Sequence, residues 1–394
     1  MSHRYSHDNF REQHGQPELR KLMKVLIAGT GFAGKGHTQA FRNAGCEVVG
    51  MVGRTDHVVQ DVTAALSIPY AGTNWERALN DTSPDIVSIA TPGGAHYEPI
   101  KRAITHHCHV FCDKPMTTTG NTASDLYDRA NAAGVKTAYA ASFQFTPNVQ
   151  HAKRLIADGA IGEPTEIESI SHFNLERGIP FGWSHRAEDG GGRLNNNFTH
   201  SLAIAQALTG GDITHIAGDI RDDLKHAPKV DGVHDFTKRR EFIPKDLSDP
   251  TLEWGESNVE WSYAVMARLT SKLASQSISV LFKHSGLVPR FHDDHIVIYG
   301  TKGAIYLQGH YGSGLLSLHD GTAWTALPLP SDLQGSTVGI GETEYCWNVL
   351  TDFFVRDIKG ETVPDYPTFR EGALYQNIID MIRAGGNWSD VPDI

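Results

Sequence analysis

A glycine-punctuated turn near the start of the chain leaves fewer folds open than any other feature. The apolar run Val25-Leu26-Ile27-Ala28 leads straight into Gly29-Thr30-Gly31-Phe32-Ala33-Gly34. Strand, closely spaced glycines, then helix is the first turn of a dinucleotide-binding βαβ unit. Gly29 permits the tight turn, Gly31 lets a pyrophosphate approach the backbone, and Gly34 lets the helix lie close on its strand. The helix start at Phe32 and Ala33 then offers unpaired N–H groups and the positive dipole end to the phosphates. A second run, Val110-Phe111-Cys112, leads into Asp113-Lys114-Pro115. It sets a lysine at the carboxyl end of another strand, where open α/β sheets bind ligands.

The rest of the pattern extends this reading. Residues 24–145 alternate between short apolar strands, at 24–28, 47–52, 86–90, 109–112 and 137–140, and helices beginning near Gly34, Val58, Trp75, Tyr97 and Thr122. Such alternation predicts a parallel sheet covered on both faces, a Rossmann dinucleotide-binding domain. After Pro147 a helix over 148–158 ends at Gly159, and β-like runs follow at 165–174, 212–221, 262–269, 277–283, 295–299 and 304–307. A helical apolar pattern covers 193–208, and two more helices are expected near 342–358 and 369–384. The fold class is therefore α/β, with a second, α+β domain over 146–394 built on a large, mostly antiparallel open sheet. The C-terminal helices are candidates to pack back on the first domain. Residues 222–250 are charged and interrupted by Pro228, Gly232, Pro244 and Pro250, which predicts a long loop insertion. Residues 1–23 form a polar extension that reads as a loose terminus. They hold no apolar signal-peptide core.

Composition narrows the partners. A chain of 394 residues suits two domains. With 46 acidic against 35 basic residues and a net charge of −11, it lacks the basic surface that nucleic acid requires. No apolar run approaches the roughly 20 residues of a membrane span. Cys46, Cys108, Cys112 and Cys346 imply no disulfide framework and fit a reducing cytoplasm. The cluster His106-His107-Cys108-His109 with Cys112 lacks paired metal-ligand spacing, and strand alternation would turn its neighbours to opposite faces, so no metal site is expected.

The two motifs together resemble the Gfo/Idh/MocA family of nicotinamide-dependent oxidoreductases. Asp113-Lys114-Pro115 stands for the family's Glu-Lys-Pro signature, and Thr91-Pro92-Gly93-Gly94-Ala95-His96 for its Thr-Pro-x-x-x-His stretch. The family's glycine triplet, aspartate and histidine are matched by Gly190-Gly191-Gly192, Asn196 and His200, with Asn196 in place of Asp. The resemblance implies NADP or NAD as cofactor, and a sugar, sugar derivative or cyclitol as substrate. It also implies a homodimer or homotetramer formed through the second sheet. It places Gly29, Gly31, Phe32, Ala33, Gly34, Arg54, Thr91, Pro92, His96, Asp113, Lys114 and Gln144 around the cofactor. Phe173, Arg177, Trp183 and Arg186 fall around the substrate, with Lys114, Asn196 and His200.

The chemistry explains why such residues are wanted. Oxidising an alcohol carbon by hydride transfer needs a group to receive the hydroxyl proton. Lys114 is the first candidate, since burial beside a cationic nicotinamide lowers its pKa towards neutrality. His200 is the second, an imidazole that titrates near neutral pH, and its i,i+4 spacing puts it on one helix face with Asn196. Asparagine hydrogen-bonds but brings no charge to raise the pKa of that imidazole. Cofactor choice falls to the end of the second strand, where Gly53-Arg54-Thr55 offers no carboxylate. Arg54 suits a 2′-phosphate, which favours NADP, while nearby Asp56 keeps NAD open. Arg177 and Arg186 would also suit a carboxylate or phosphate. Two further readings stay open: a redox-neutral glycosidase or lyase acting by transient oxidation, and a non-catalytic cofactor-binding sensor.

Overall fold

The structure, a computed structural model, describes residues 22–233, 236–288, 293–334 and 340–394. The extension expected over 1–23 falls outside them except for Leu22 and Met23. The first half builds a six-stranded parallel sheet from β1 (Lys24–Ala28), β2 (Glu47–Val52), β3 (Tyr70–Gly72), β4 (Ile86–Ile89), β5 (His109–Cys112) and β6 (Thr137–Tyr139). Its order is β3-β2-β1-β4-β5-β6, so the chain reverses direction across the sheet between β1 and β4. That reversal opens the crevice in which such sheets hold ligands. Helices α1 (Phe32–Asn43), α2 (Asp56–Leu66), α3 (Trp75–Thr82), α4 (Tyr97–Thr105) and α5 (Gly120–Ala133) cover it. Every residue of β4 is buried and all but the first of β1, which is why these strands are continuously apolar. Strand β3 escaped the sequence reading because three half-buried edge residues carry no periodic signal.

After α6 (Pro147–Ala157) the chain builds a nine-stranded sheet. Its strands are β7 (Pro164–His172), β8 (Asp212–Arg221), β11 (Ser262–Thr270), β12 (Ile278–Ser285), β13 (His295–Gly300), β14 (Ala304–Gln308), β15 (Leu316–His319), β16 (Trp324–Leu327) and β17 (Ser389–Asp390). The order is β16-β15-β14-β13-β7-β12-β11-β8-β17, and only β7 with β12 runs parallel. Residues 222–250, expected as a bare loop, carry β9 (His226–Pro228), which pairs with β10 (Trp254–Glu256), and a 3₁₀ segment at Phe236–Phe242. Three-residue strands among charged side chains leave nothing for periodicity to detect.

A second difference lies at 193–208, expected as one regular helix. The structure has a π-helical turn at Leu194–Phe198 leading into α7 (Thr199–Thr209). Inserting such a turn displaces side chains from the regular α register, and π turns concentrate at functional sites.

The last two helices return to the first half. α8 (Glu342–Ile358) packs on α1, and its Trp347, Leu350 and Phe354 share one core with Val25, Ile27, Phe41 and Phe111. α9 (Phe369–Arg383) opens with a capping box, in which Thr368 and Glu371 satisfy each other's backbone N–H groups. It packs along α5, and Thr137 Oγ1 of β6 accepts from Phe369 N. Its far end reaches β8, so one helix touches both sheets.

Candidate active site

At the mouth of the first sheet the backbone does most of the shaping. Gly29 has φ +116, and a Cβ there would lie 2.4 Å from Ala90 O. A Cβ on Gly34 would lie 2.0 Å from Gly29 O, so the start of α1 sits directly against β1. Around Gly31 the reverse holds, with nothing within 4 Å of a built Cβ. Gly31 is the N-cap of α1, no side chain caps the helix, and its first turn has no acidic residue. The orphaned N–H groups and the dipole therefore face open space, the arrangement a pyrophosphate requires. Exposed Arg54 follows β2 at the neighbouring strand end. These residues fit a dinucleotide.

The carboxyl ends of β4 and β5 carry the next set. His96, fully buried, has Nε2 2.6 Å from Thr91 O and Nδ1 3.3 Å from Met116 O. It ties the loop after β4 to the loop that holds Lys114, and burial pushes its pKa down. Lys114 N donates to Asp113 Oδ1 at 2.7 Å. The Lys114 ammonium donates to Asn196 Oδ1 at 3.2 Å, across 82 residues of sequence. Burial lowers its pKa; neighbouring Asp113 raises it, and the charge of Arg193 lowers it further.

Asn196 is held there by the π turn. Asn196 N donates to Gly192 O, Asn195 Nδ2 to Gly191 O, and Gln376 Nε2 of α9 to Asn195 Oδ1. Glu260, nearly fully buried, accepts Leu194 N at 2.9 Å and clasps Arg383 of α9 at 3.0–3.1 Å. That ion pair anchors the turn to the end of α9 from both sides.

Behind Asn196 stands a wall of strand and loop side chains. Asn197 Nδ2 lies 3.1 Å from His310 Nε2 and 3.3 Å from Tyr311 OH, and its Oδ1 accepts from Tyr263 OH. His310 Nδ1 faces Asp294, which also accepts from His172. Arg193, 8% exposed, donates from Nε to His284 Nε2 at 2.9 Å and lies 4.7 Å over the Phe173 ring. His200 is 4% exposed, boxed edge-on by Phe143 at 4.6 Å and Tyr311 at 5.2 Å. Its buried Nδ1 has no partner among the described residues.

Several sequence-based expectations need correcting. His200 is not a neutral-pH titrator: burial, then the charges of Lys114 and His310, holds it well below the ordinary imidazole range. Asn196, expected at the catalytic and substrate centre, accepts from Lys114 there. Arg186 is bound to Asp189 three residues on, and leans on Phe181 at 5.6 Å. Arg177 is exposed beside Arg221 and Leu287. Gln144 is buried and turned to Ala141 O at 3.5 Å, and Trp183 is half-buried in a 3₁₀ turn. Phe173 does belong to the wall, under Arg193. Arg193, Asn197, Tyr263, His284, His310 and Tyr311 were missed. Only Arg193 and Asn197 had a signal, lying inside the Gly190–His200 motif; the others come from distant strands and loops whose register the sequence does not announce.

Comparison with known proteins agrees with the two-part fold. Residues 23–141 match the oxidoreductase family with an NAD-binding Rossmann fold, and 149–306 match the GFO/IDH/MocA C-terminal domain. Levoglucosan dehydrogenase of Pseudarthrobacter phenanthrenivorans is 24% identical, over 94% of this chain and 99% of its own. A 2,7-anhydro-N-acetylneuraminate hydratase of Escherichia coli is 30% identical, over 44% of this chain and 46% of its own. A solved structure of levoglucosan dehydrogenase with NADH and levoglucosan has the same fold, with a TM-score of 0.77 at 20% identity, covering 95% of this chain and all of that one.

Proposed function

The chain belongs to the Gfo/Idh/MocA family of oxidoreductases, and from that premise we propose that it is an NAD(P)-dependent dehydrogenase of a hydroxyl-bearing carbon in a sugar, sugar derivative or cyclitol. The observation that carries the proposal is the Lys114–Asn196 pair, which joins the cofactor sheet to the substrate wall at one lysine. Gly31, Phe32 and Ala33 would hold the pyrophosphate on their N–H groups, Arg54 would serve the adenine ribose, and Thr91, Pro92 and Asp113 would line the crevice beyond, with His96 and Gln144 supporting it. NADP is favoured over NAD because no carboxylate stands at Gly53 or Arg54 to repel a 2′-phosphate. The bound nicotinamide supplies the acceptor for the hydride leaving the carbinol carbon.

The remaining chemistry falls to the protein. Neutral Lys114 takes the hydroxyl proton as the C–H bond breaks and the C=O bond forms, so the lowered pKa serves the reaction. Asn196 Oδ1 fixes the direction of Nζ by accepting one of its N–H groups. Neutral His200, held between Phe143 and Tyr311, serves as a fixed uncharged contact of the substrate instead of shuttling protons. The levoglucosan dehydrogenase relative supports a sugar. The hydratase relative favours one second reading, the redox-neutral lyase route, in which no NAD(P)H accumulates. A sensor without catalysis has less support, since Lys114 and His200 are both present and both in the wall.

The proposal includes a homodimer or homotetramer. The outer face of the nine-stranded sheet presents Met266, Tyr299 and Trp324, the first and last 55% and 51% exposed, and such a patch calls for a partner. Light scattering of the purified protein tests it, and a monomer would refute that part.

A panel of sugars, glycosides and cyclitols, followed by NAD(P)H absorbance, tests the reaction. Lys114→Ala is expected to cut turnover by about 10²-fold or more while cofactor affinity stays within a few-fold. Turnover within threefold of the parent would remove Lys114 from the chemistry, and product without NAD(P)H would favour the lyase.

A further inference from the structure

The wall carries a buried charge that no carboxylate among the described residues contacts directly. Arg193 is nine-tenths buried, yet among the described residues the one hydrogen bond of its guanidinium goes to His284 Nε2, and no carboxylate pairs with it. That histidine accepts from Arg193 and faces Ser171 Oγ at 2.7 Å through Nδ1. Burial and the Arg193 charge push its pKa down, so it stays neutral and offers a dipole only. The other contact, the Phe173 ring, is also uncharged. Tyr263 and Tyr311 keep their protons, since burial raises both phenols. The charge of Glu260 reaches Arg193, but its oxygens are taken by Arg383 and Leu194 N.

Like charges gather there. Arg239, itself largely buried, is pushed down to about 10 by burial and then by the charges of Arg193 and Arg240. Arg240, itself exposed and paired with Glu176 at 3.7 Å, lies 5.9 Å from the same Phe173 ring that Arg193 covers at 4.7 Å. The Lys114 ammonium also senses Arg193. A buried cation whose direct partners are neutral is costly until an anion joins it.

We propose that Arg193, three residues before Asn196 in the π turn, receives the carboxylate of an acidic sugar, so that the substrate is a uronate or aldonate rather than a neutral sugar or cyclitol. This rests on the reading of the chain as a sugar oxidoreductase. With Nε spent on His284, the guanidinium keeps four N–H groups, set in a plane that matches the two oxygens of a carboxylate. One anionic charge suits one buried guanidinium and leaves Lys114 to the reacting hydroxyl. The arginines named as anion candidates from sequence do not fill this place: Arg186 is already paired with Asp189, and Arg177 lies exposed.

The test compares matched substrates on the full-length protein with saturating NADP. D-Glucuronate, D-galacturonate and D-gluconate are set against glucose, galactose and sorbitol, with glucose 6-phosphate as a separate arm. The acids are expected to exceed their neutral partners in kcat/KM by about 10²-fold, the scale of a buried charge-assisted contact. In Arg193→Gln that ratio should collapse towards one, chiefly through KM for the acids, and Arg193→Lys should recover part of it. Neutral sugars turned over as well as acids would overturn this inference and leave the dehydrogenase reading standing. Preference for the phosphate ester, or an acid preference that survives in Arg193→Gln, would overturn the carboxylate assignment. No NAD(P)H from any member would instead strike the dehydrogenase reading beneath it. If Arg193→Gln fails to fold, the parent protein's acid-to-neutral ratio still decides.

Discussion

The glycine turn and the side-chain wall around Asn196, proposed above to hold cofactor and substrate, are made of different material. At the turn, Gly29, Gly31 and Gly34 work by what they lack: their missing Cβ atoms let the chain pass Ala90 and let α1 press on β1. In the wall, Asn196, Asn197, Arg193 and His200 work by what they carry, and each is placed by a side chain from another element. A site built from backbone tolerates little substitution but needs little support. One built from side chains inherits its precision from every neighbour that positions it.

The largest expected effect comes from removing a support of the wall. Arg383→Ala leaves the buried carboxylate of Glu260 with Leu194 N as its remaining partner among the described residues. Loss of one member of a buried ion pair costs about 3–5 kcal/mol, which urea unfolding would register. NADPH affinity should stay within a few-fold, because the glycine turn does not lean on that pair. A parallel collapse of NADPH binding would break the comparison, showing that the two regions are one mechanical unit.

A smaller effect probes the seam between them. Asn196→Asp places a carboxylate where Lys114 Nζ now donates to a neutral amide. The opposite charge favours the ammonium and raises the Lys114 pKa, so more alkaline conditions are needed to free the base. The rising limb of the oxidation rate should move to higher pH by about one unit or more, measured as kcat against pH. An unmoved limb would exclude Lys114 as the titrating group.

The smallest effect belongs to the cofactor side. Arg54→Ala should weaken NADP by about tenfold, the scale of one exposed charge-assisted contact, and NAD by much less. Calorimetry on the two cofactors reads it, and equal weakening would assign Arg54 to stacking on the adenine.

What was legible in the sequence follows the same division. Gly29, Gly31, Gly34 and Lys114 could be placed because local steric need prints itself on adjacent residues. The parallel strands could be found because burial on both faces makes them continuously apolar. Asn196 was singled out by its spacing from His200, but its bond to Lys114 could not be read, since that lysine lies 82 residues away. The π turn broke the regular helix expected there, as an inserted turn leaves the apolar pattern nearly unchanged. His310, Tyr311 and Tyr263 could not be found at all: pairing of strands distant in sequence, not local composition, brings them to Asn197.

The return of α8 to the first sheet has a consequence in time. Val25, Ile27, Phe41 and Phe111 finish their packing only against Trp347, Leu350 and Phe354. The ribosome makes that helix roughly 200 residues after β6, some 10–40 s later at ordinary elongation rates. Throughout that interval the nascent cofactor half carries an open greasy flank beside α1. Its completion is therefore post-translational in effect, and a chain stopped before α8 would present that flank to chaperones and to other copies of itself.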